Sequence, residues 1–150
     1  MKILFLTSSS SETAKYAESL ACLNPESIAI LPYDDVNYVE SLVVTKAKEY
    51  APSFIVYIGS RWGPQVTITT LALLNATVAP MVHICSDAAD PPWWDLIMDY
   101  HYAGAFALQV AIDGNKAWPL HGVGMTALSP INPAHFNGVK PHAERPIACG

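Results

Sequence analysis

The fold is decided by residues 54–85, FIVYIGSRWGPQVTITTLALLNATVAPMVHIC. Two short apolar runs, Phe54 to Ile58 and Met81 to Cys85, are typical of strands that are buried on both faces. Between them, Val66 to Ala76 is β-branched early and rich in Leu and Ala late, so its pattern alone fits a helix or a strand. Because neighbouring parallel strands need a crossover, which is usually a helix, we predict strand, helix, strand.

The same alternation continues on both sides of this stretch. Towards the N-terminus, Lys2 to Leu6 (KILFL) and Ile28 to Leu31 (IAIL) predict two strands, each followed by a helix. Towards the C-terminus, Asp90 begins a helix, and Phe106 to Ile112 and Met125 to Leu128 predict further strands. The expected fold class is α/β: a Rossmann-like three-layer sandwich with a mainly parallel sheet of about six strands.

The domain organisation follows from the prolines near the end of the chain. Residues 1–129 are predicted to form the Rossmann-like domain, and residues 130–150 a proline-rich linker. The last residues, Ile147 to Gly150, have the composition of a new strand. We therefore expect a linker that leads to the start of a missing second domain.

Composition restricts the possible partners. The net charge is −5 with only eight Lys and Arg residues, which argues against nucleic acid. No apolar run reaches the roughly 20 residues that span a membrane, and the expected localisation is cytoplasmic.

The segment 66–76 carries no charge, so we expect it to be buried or to face a second α/β domain or another subunit. Histidines and cysteines lie in no metal-ligand spacing, and His83 is expected to be a core residue.

Aromatic and acidic residues gather after the strand that ends at Cys85, in SDAADPPWWD (residues 86–95). Loops that connect a strand to a helix line the ligand crevice in open α/β sheets. Tryptophan rings suit stacking on sugars, and carboxylates suit hydrogen bonds with hydroxyl groups. Alternatively, the tryptophans anchor the loop to the core, and Asp90 only caps the helix. We predict Asp87 and Asp90 as catalytic residues, either of which would act as a general base.

Three further loops are expected at the same edge of the sheet. The hydroxyl groups of Thr7 to Thr13 precede a predicted helix, where they are suited to bind an anion. Alternatively, the serines only cap the N-terminus of that helix. Arg61 is suited to bind an anionic group of a ligand, to pair with a carboxylate of the chain, or to stack on Trp62. The turn at Asp113 to Asn115 follows the fifth strand. The predicted substrate-binding residues are Ser8, Ser9, Ser10, Ser11, Arg61, Trp62, Trp93, Trp94, Asp95, Asp113 and Asn115.

The chain resembles the N-terminal half of GT-B-type glycosyltransferases, especially glycosyltransferase-like and spore-maturation-type proteins. The matching segments are MKILFL, SDAADPPWWD, FALQVAIDGNKAWP and LSPINPAHF (residues 128–136). The resemblance implies an acceptor-side domain of an enzyme that moves a sugar from a nucleotide-sugar co-substrate to a small-molecule or glycan acceptor. No other cofactor is implied, and the domain is not expected to be active alone. Thr7 to Ser11 departs from the glycine-rich loop of many relatives.

Two other functions fit the sequence. Residues 8–13 and 58–63 partly resemble the phosphate loop and the aromatic flavin loop of flavodoxin-like electron carriers, which implies FMN as cofactor. Ser11 stands where that family usually has glycine. The third possibility is a non-catalytic binding or interaction domain, since the charge-free segment 66–76 suits a partner surface.

Overall fold

The computed structural model describes residues 1–8, 19, 28–33, 40–59, 65–85, 91–112 and 124–126, and the structural statements below concern these residues. Within them the chain alternates strands with helices. The elements are β1 (Ile3–Thr7), β2 (Ile28–Pro32), α1 (Glu40–Tyr50), β3 (Phe54–Ile58), α2 (Ile68–Thr77), β4 (Met81–Cys85), α3 (Pro91–Tyr102), β5 (Leu108–Ala111) and β6 (Gly124–Thr126).

The strands form one parallel sheet in the order β2-β1-β3-β4-β5-β6. The predicted fold class is confirmed: a three-layer α/β sandwich around a parallel sheet of six strands. The order reverses at β1, whose neighbours on either side are β2 and β3. An order of this kind leaves a crevice outside the carboxyl ends of β1 and β3, where ligands bind in open α/β sheets.

Burial on both faces explains why the strands read as continuous apolar runs. On one face, Leu6 and Ile55 belong to a core that also contains Val43 of α1, Leu71 of α2 and Tyr100 of α3. On the other face, a second cluster of buried residues lies on β1 and β3. Its members are Phe5, Val56 and Ile58. The three described helices therefore cover one face of the sheet, and the opposite face is also shielded from solvent.

The helix predicted between β3 and β4 is confirmed, with its burial restricted to one side. Thr67 is its N-cap, and the helix extends from Ile68 to Thr77. Leu71 and Leu74 are fully buried, whereas Leu73 is 44% exposed. The topological argument therefore gave the correct element. The charge-free segment lies against the core along one face and is open to solvent along the other.

Strand boundaries differ from the prediction by one residue at β1 and β2 and by more at β5 and β6. β5 begins at Leu108, two residues after Phe106, whose ring stacks against that of His83 with 4.9 Å between ring centroids. β6 comprises Gly124–Thr126 and only overlaps the predicted strand Met125 to Leu128. The predicted linker at residues 130–150 lies outside the described residues and stays a prediction.

Candidate functional site

The carboxyl edge of the sheet is the candidate site, because the order of the strands places the crevice there. β1 ends at Thr7 and is followed by Ser8, whose side chain is only 1% exposed. The Thr7 hydroxyl donates a hydrogen bond to the carbonyl oxygen of Ser8 at 3.3 Å. Gly59 follows β3, the neighbouring strand. Ser8, one of the predicted substrate-binding residues, is therefore packed into the end of the sheet.

A row of polar side chains crosses the sheet just below this edge. Tyr57 of β3, His83 of β4 and Gln109 of β5 are neighbours in register, so their side chains lie on the same face. All three are buried. The Gln109 amide donates from Nε2 to the carbonyl oxygen of Ile97 in α3 at 3.1 Å. This bond directs Gln109 Oε1 towards His83 Nδ1, which lies 3.2 Å away.

The position of Gln109 determines the tautomer of His83. Gln109 Oε1 can only accept a hydrogen bond, so we assign the imidazole proton to Nδ1. His83 Nε2 is then an acceptor, and it is buried with no hydrogen-bond partner. Burial lowers the pKa of His83 to about 4, although the hydrogen bond with Gln109 acts in the opposite direction. The imidazole is therefore neutral at pH 7.

Two further tyrosines, Tyr33 and Tyr100, lie beside this row and contact the ring of Tyr57. Tyr57 donates from its hydroxyl to Gln65 Oε1 at 2.7 Å, and Tyr33 donates to the carbonyl oxygen of Ile58 at 3.3 Å. Burial raises the pKa of Tyr57 well above its ordinary value and that of Tyr100 to about 12. In this interior cluster hydrogen bonds join β4 to β5 and β5 to α3, while the rings of Tyr57 and His83 pack against each other between β3 and β4. None of His83, Tyr57 and Tyr100 is poised to exchange a proton near pH 7.

Gly59 passes directly over the acceptor nitrogen of His83. A Cβ atom built at Gly59 would lie 3.8 Å from His83 Nε2 and 3.6 Å from Gln65 Oε1, which are ordinary contact distances. The backbone of Gly59 is also outside the left-handed region that favours glycine. A small side chain therefore fits here and would point towards the unpartnered nitrogen.

We expect Gly59→Ser to be more stable than Gly59→Ala by about 1 kcal/mol, because the serine hydroxyl can donate to His83 Nε2. The two variants restrict the unfolded chain to a similar extent, so the alanine variant isolates the contribution of the hydroxyl. Urea unfolding of both proteins measures the difference in unfolding free energy. Equal stability of the two variants would show that no such hydrogen bond forms.

The N-terminus of α2 is occupied by the chain's own carboxylate. Glu40 Oε1, on the first turn of α1, accepts hydrogen bonds from the Thr67 backbone N–H at 2.9 Å and from its hydroxyl at 2.5 Å. Burial raises the pKa of Glu40, but the hydrogen bonds with Thr67 and Thr70 outweigh it, and the pKa lies below its ordinary value. The carboxylate is thus charged at pH 7. An anion that approached this helix end would meet a negative charge.

Besides Ser8, the structure describes the side chains of two predicted site residues, Trp94 and Asp95. Trp94 of α3 is half-buried and packs against the buried cluster Cys85, Ile97 and Ala111, which agrees with the alternative that it anchors to the core. Asp95 is exposed on the same helix. The structure places Trp93 in α3 but does not describe its side chain. The remaining predicted positions lie outside the described residues and stay predictions. They are Ser9, Ser10, Ser11, Arg61, Trp62, Asp87, Asp90, Asp113 and Asn115.

Sequence reasoning missed the polar cluster. The expectation that His83 is a core histidine is correct, but Gln109, Tyr57 and Gln65 were not connected with it. The available signal was a polar residue within each of two otherwise apolar strands, His83 in MVHIC and Gln109 in LQVA. Buried polar groups need partners, and two such residues on neighbouring strands are candidates for each other.

Neither a metal centre nor a membrane span is found in the described part of the chain. There, no three or more His, Cys, Asp or Glu side chains lie together in a way that suits a metal ion. No described helix combines the length and the apolar character that crossing a membrane requires.

Comparison with known proteins gives a distant structural likeness and nothing closer. No protein-family model and no curated protein matches the sequence. One solved structure that resembles the chain is the signal receiver domain of a modulated diguanylate cyclase from Desulfovibrio desulfuricans G20. The TM-score is 0.49 and the identity 17%, over 73% of this chain and 79% of that one. A likeness this distant transfers no function to this chain.

The glycosyltransferase interpretation is wrong. The structure that the chain resembles is a receiver domain and not a GT-B glycosyltransferase, and no family model supports a transferase. The resemblance implied the nucleotide-sugar donor and the glycan acceptor, so it no longer supports them. The flavodoxin-like alternative with FMN gains no support from this comparison either.

Proposed function

We propose that this chain is a non-catalytic interaction domain that binds another folded protein through the exposed side of α2. The observation that carries the proposal is the surface of this helix. Its ten residues include no charged side chain, yet one side of it faces solvent. A surface helix normally carries charged residues on its solvent side. The absence of charged side chains is therefore unusual for a helix with a solvent-exposed face.

The surface is formed by exposed residues at helical spacing, which we call the α2 face: Thr69, Leu73, Ala76 and Thr77. Positions three and four residues apart lie side by side on a helix. Covering this face would desolvate apolar atoms and two hydroxyl groups but no charge, so the cost of removing water is small. The neighbouring helix α1 differs, because it carries Glu40, Lys46, Lys48 and Glu49.

Both ends of α2 are held by side-chain hydrogen bonds. At the N-terminus, Glu40 binds Thr67, as described above. Near the C-terminus, Asn75 donates from Nδ2 to the carbonyl oxygen of Gly104 at 3.0 Å and accepts from the Met81 N–H at 2.9 Å. A helix fixed in this way presents its outer face in one arrangement. Preorganisation lowers the entropy lost on binding, which favours a role as a docking surface.

The chemistry of the α2 face defines the partner. Nucleic acids and acidic peptides are unsuitable, because the helix offers no basic group. Small anions are unsuitable, since Glu40 occupies the helix N-terminus. A folded domain with an uncharged, largely apolar surface fits best. This function requires no cofactor.

We expect Leu73→Lys to weaken partner binding at least tenfold, which corresponds to about 1.4 kcal/mol, because it places a charge in the centre of a dry contact. Leu42→Lys on α1 is the matched control, since Leu42 is 46% exposed and Leu73 is 44% exposed. The partner can be trapped by a photo-crosslinking amino acid at Thr69 in the native host and identified by mass spectrometry. Calorimetry with the purified partner then gives the affinity of each variant.

The proposal requires two results together. A discrete adduct must form from position 69 and not from the exposed Thr45 of α1, and Leu73→Lys must bind the purified partner more weakly than Leu42→Lys. Equal crosslinking from both helices, or equal affinity of the two lysine variants, would contradict it.

A further inference from the structure

The outer edge of β2 is a second surface that the proposed function does not use. β2 lies at the end of the sheet and pairs only with β1. Within the described part of the chain, no strand pairs with its other edge. An edge strand of this kind presents backbone N–H and C=O groups that can pair with another strand.

The ladder with β1 defines which residues of β2 face outward. The Tyr33 N–H donates to the carbonyl oxygen of Thr7 at 2.9 Å, so the backbone of Tyr33 points towards β1. Successive residues of a strand direct their backbone groups to opposite sides. Ala29 and Leu31 therefore also face β1, whereas Ile28, Ile30 and Pro32 face outward.

The outward groups comprise two donors and three acceptors. Ile28 and Ile30 each offer an N–H and a C=O, and Pro32 offers only a C=O, because proline has no N–H. A proline at an outward position costs no hydrogen bond within this chain. Native edge strands usually prevent pairing with charged side chains or bulges, but residues 28–32 (IAILP) contain no charged side chain.

We propose that two copies of this chain form a dimer by antiparallel pairing of β2 with β2, about a two-fold axis at Ile30. In this register Ile30 lies opposite Ile30 of the second copy, and each N–H donates to the other's carbonyl oxygen. Ile28 lies opposite Pro32 of the second copy, and its N–H donates to the proline carbonyl oxygen. Every outward N–H of the strand thus has an acceptor, and the missing N–H of Pro32 leaves only the Ile28 carbonyl unbonded.

Centring the pair on Ile30 also gives the largest overlap, since residues 28–32 all find a partner within the strand of the other copy. Any other antiparallel register leaves part of β2 unpaired. The side chains support the same arrangement. Ile30 is 47% exposed, and the axis places the two Ile30 side chains next to each other, where each can shield apolar surface of the other.

The self-complementary pattern of donors and acceptors is the reason for choosing a second copy as the occupant. The chain carries a net charge of −5, so two copies repel each other in general. An uncharged strand is a place where that repulsion is weakest, and a pairing that is its own complement needs no other partner. The dimer joins the two six-stranded sheets into one continuous sheet.

Sedimentation velocity over a range of concentrations tests the dimer. We expect Ile30→Lys to weaken dimerisation at least tenfold, because it sets two ammonium groups opposite each other. Leu42→Lys is the control with the same change at a residue of similar exposure. Circular dichroism of both variants establishes that the monomer still folds. A wild-type protein that stays monomeric up to about 1 mM would overturn the proposal.

Amide hydrogen exchange supplies a readout that a general loss of stability would not produce. The N–H groups of Ile28 and Ile30 should become protected as the protein concentration rises, whereas those of Ala29 and Leu31 should be protected at every concentration. A dimer that persists in Ile30→Lys, or that protects other amides instead, would place the interface elsewhere. Neither measurement depends on the α2 face. The dimer can therefore be disproved while partner binding through α2 stands, and partner binding can be disproved while the dimer stands.

Discussion

Lowering the pH from 7 to 4 is expected to reduce the unfolding free energy of the wild-type protein by about 3 kcal/mol more than that of a His83→Asn variant. The folded protein holds the pKa of His83 at about 4, below its ordinary value of 6.5. Between these two values the unfolded chain binds a proton that the folded chain does not. The contribution of the neutral imidazole is therefore fully present above pH 6.5 and is lost as the pH falls towards 4.

The physical cause is the position of the ring. Protonation would put a charge and a new N–H on Nε2, which is buried without a partner. Asparagine at this position does not titrate and can still donate to Gln109 Oε1. If the smaller side chain prevents folding, His83→Phe keeps a ring against Phe106 and removes the titration in a second way.

Urea unfolding at several pH values measures this effect, because the carboxylates contribute equally to wild type and variant and cancel in the difference. His101→Asn, which removes a histidine outside the buried cluster, is the control for replacing a histidine by asparagine. Nitrogen NMR of the imidazole reports the tautomer directly. Parallel pH profiles for wild type and both His83 variants, or a His83 that titrates near 6.5, would refute the assignment.

The sequence predicted the fold class because the strands of a buried parallel sheet leave a local signal. KILFL, IAIL, FIVYI and MVHIC are largely apolar runs, and the spacing from each run to the next leaves room for one helix. The ambiguous segment 66–76 was assigned correctly by topology, since a helix is the usual connection between parallel strands. The ends of the elements were predicted less exactly. Phe106, for example, was predicted as the first residue of the fifth strand, but it precedes β5, and its ring packs on His83.

The contacts of the candidate site depend on register and are invisible in the sequence. His83 and Gln109 are 26 residues apart, and Glu40 and Thr67 are 27 apart. Only the alignment of β4 with β5, and the packing of α1 beside α2, brings each pair into contact. Composition could identify Gln109 as a polar residue in an apolar strand, but it could not name its partner.

The family resemblance failed for a related reason. An opening such as MKILFL is what any buried first strand of a parallel sheet looks like, so it reports the fold and not the function. The other matching segments are residues 86–95, 106–119 and 128–136, and most of these residues fall outside the described part of the chain. Function has to be argued from specific side chains, and the described ones form a rigid neutral interior beneath an uncharged helix surface.

The two proposed surfaces have a joint consequence. The β2 edge and α2 are separate, since α2 connects β3 and β4, while β2 lies beyond β1 at the end of the sheet. A dimer formed through β2 would therefore leave both α2 faces open. Two identical docking surfaces on one particle bind a partner that is itself dimeric more tightly than a single surface does, without any additional contact.

Replacing Gln109 by leucine is expected to lower the unfolding free energy by about 2 kcal/mol at pH 7, because it leaves a buried N–H group without an acceptor. His83 Nδ1–H loses its acceptor, whereas the carbonyl oxygen of Ile97 loses only an additional donor, because it lies within α3 and keeps its helical hydrogen bond. Leucine has a similar volume to glutamine, so the loss reflects hydrogen bonding more than a cavity. Thr45→Val removes an exposed bond to the Ser41 carbonyl oxygen and should change stability by less than about 0.5 kcal/mol.

The double variant His83→Phe with Gln109→Leu decides whether the two residues form one unit. Removing both partners leaves no unpaired group on either side chain, and the Ile97 carbonyl oxygen keeps its helical hydrogen bond. We expect the double variant to be more stable than the sum of the single losses predicts, by about 1 to 2 kcal/mol. Additive losses in urea unfolding would mean that His83 and Gln109 contribute separately. A coupling of the expected size would show that β4, β5 and α3 are joined through this one hydrogen-bonded chain.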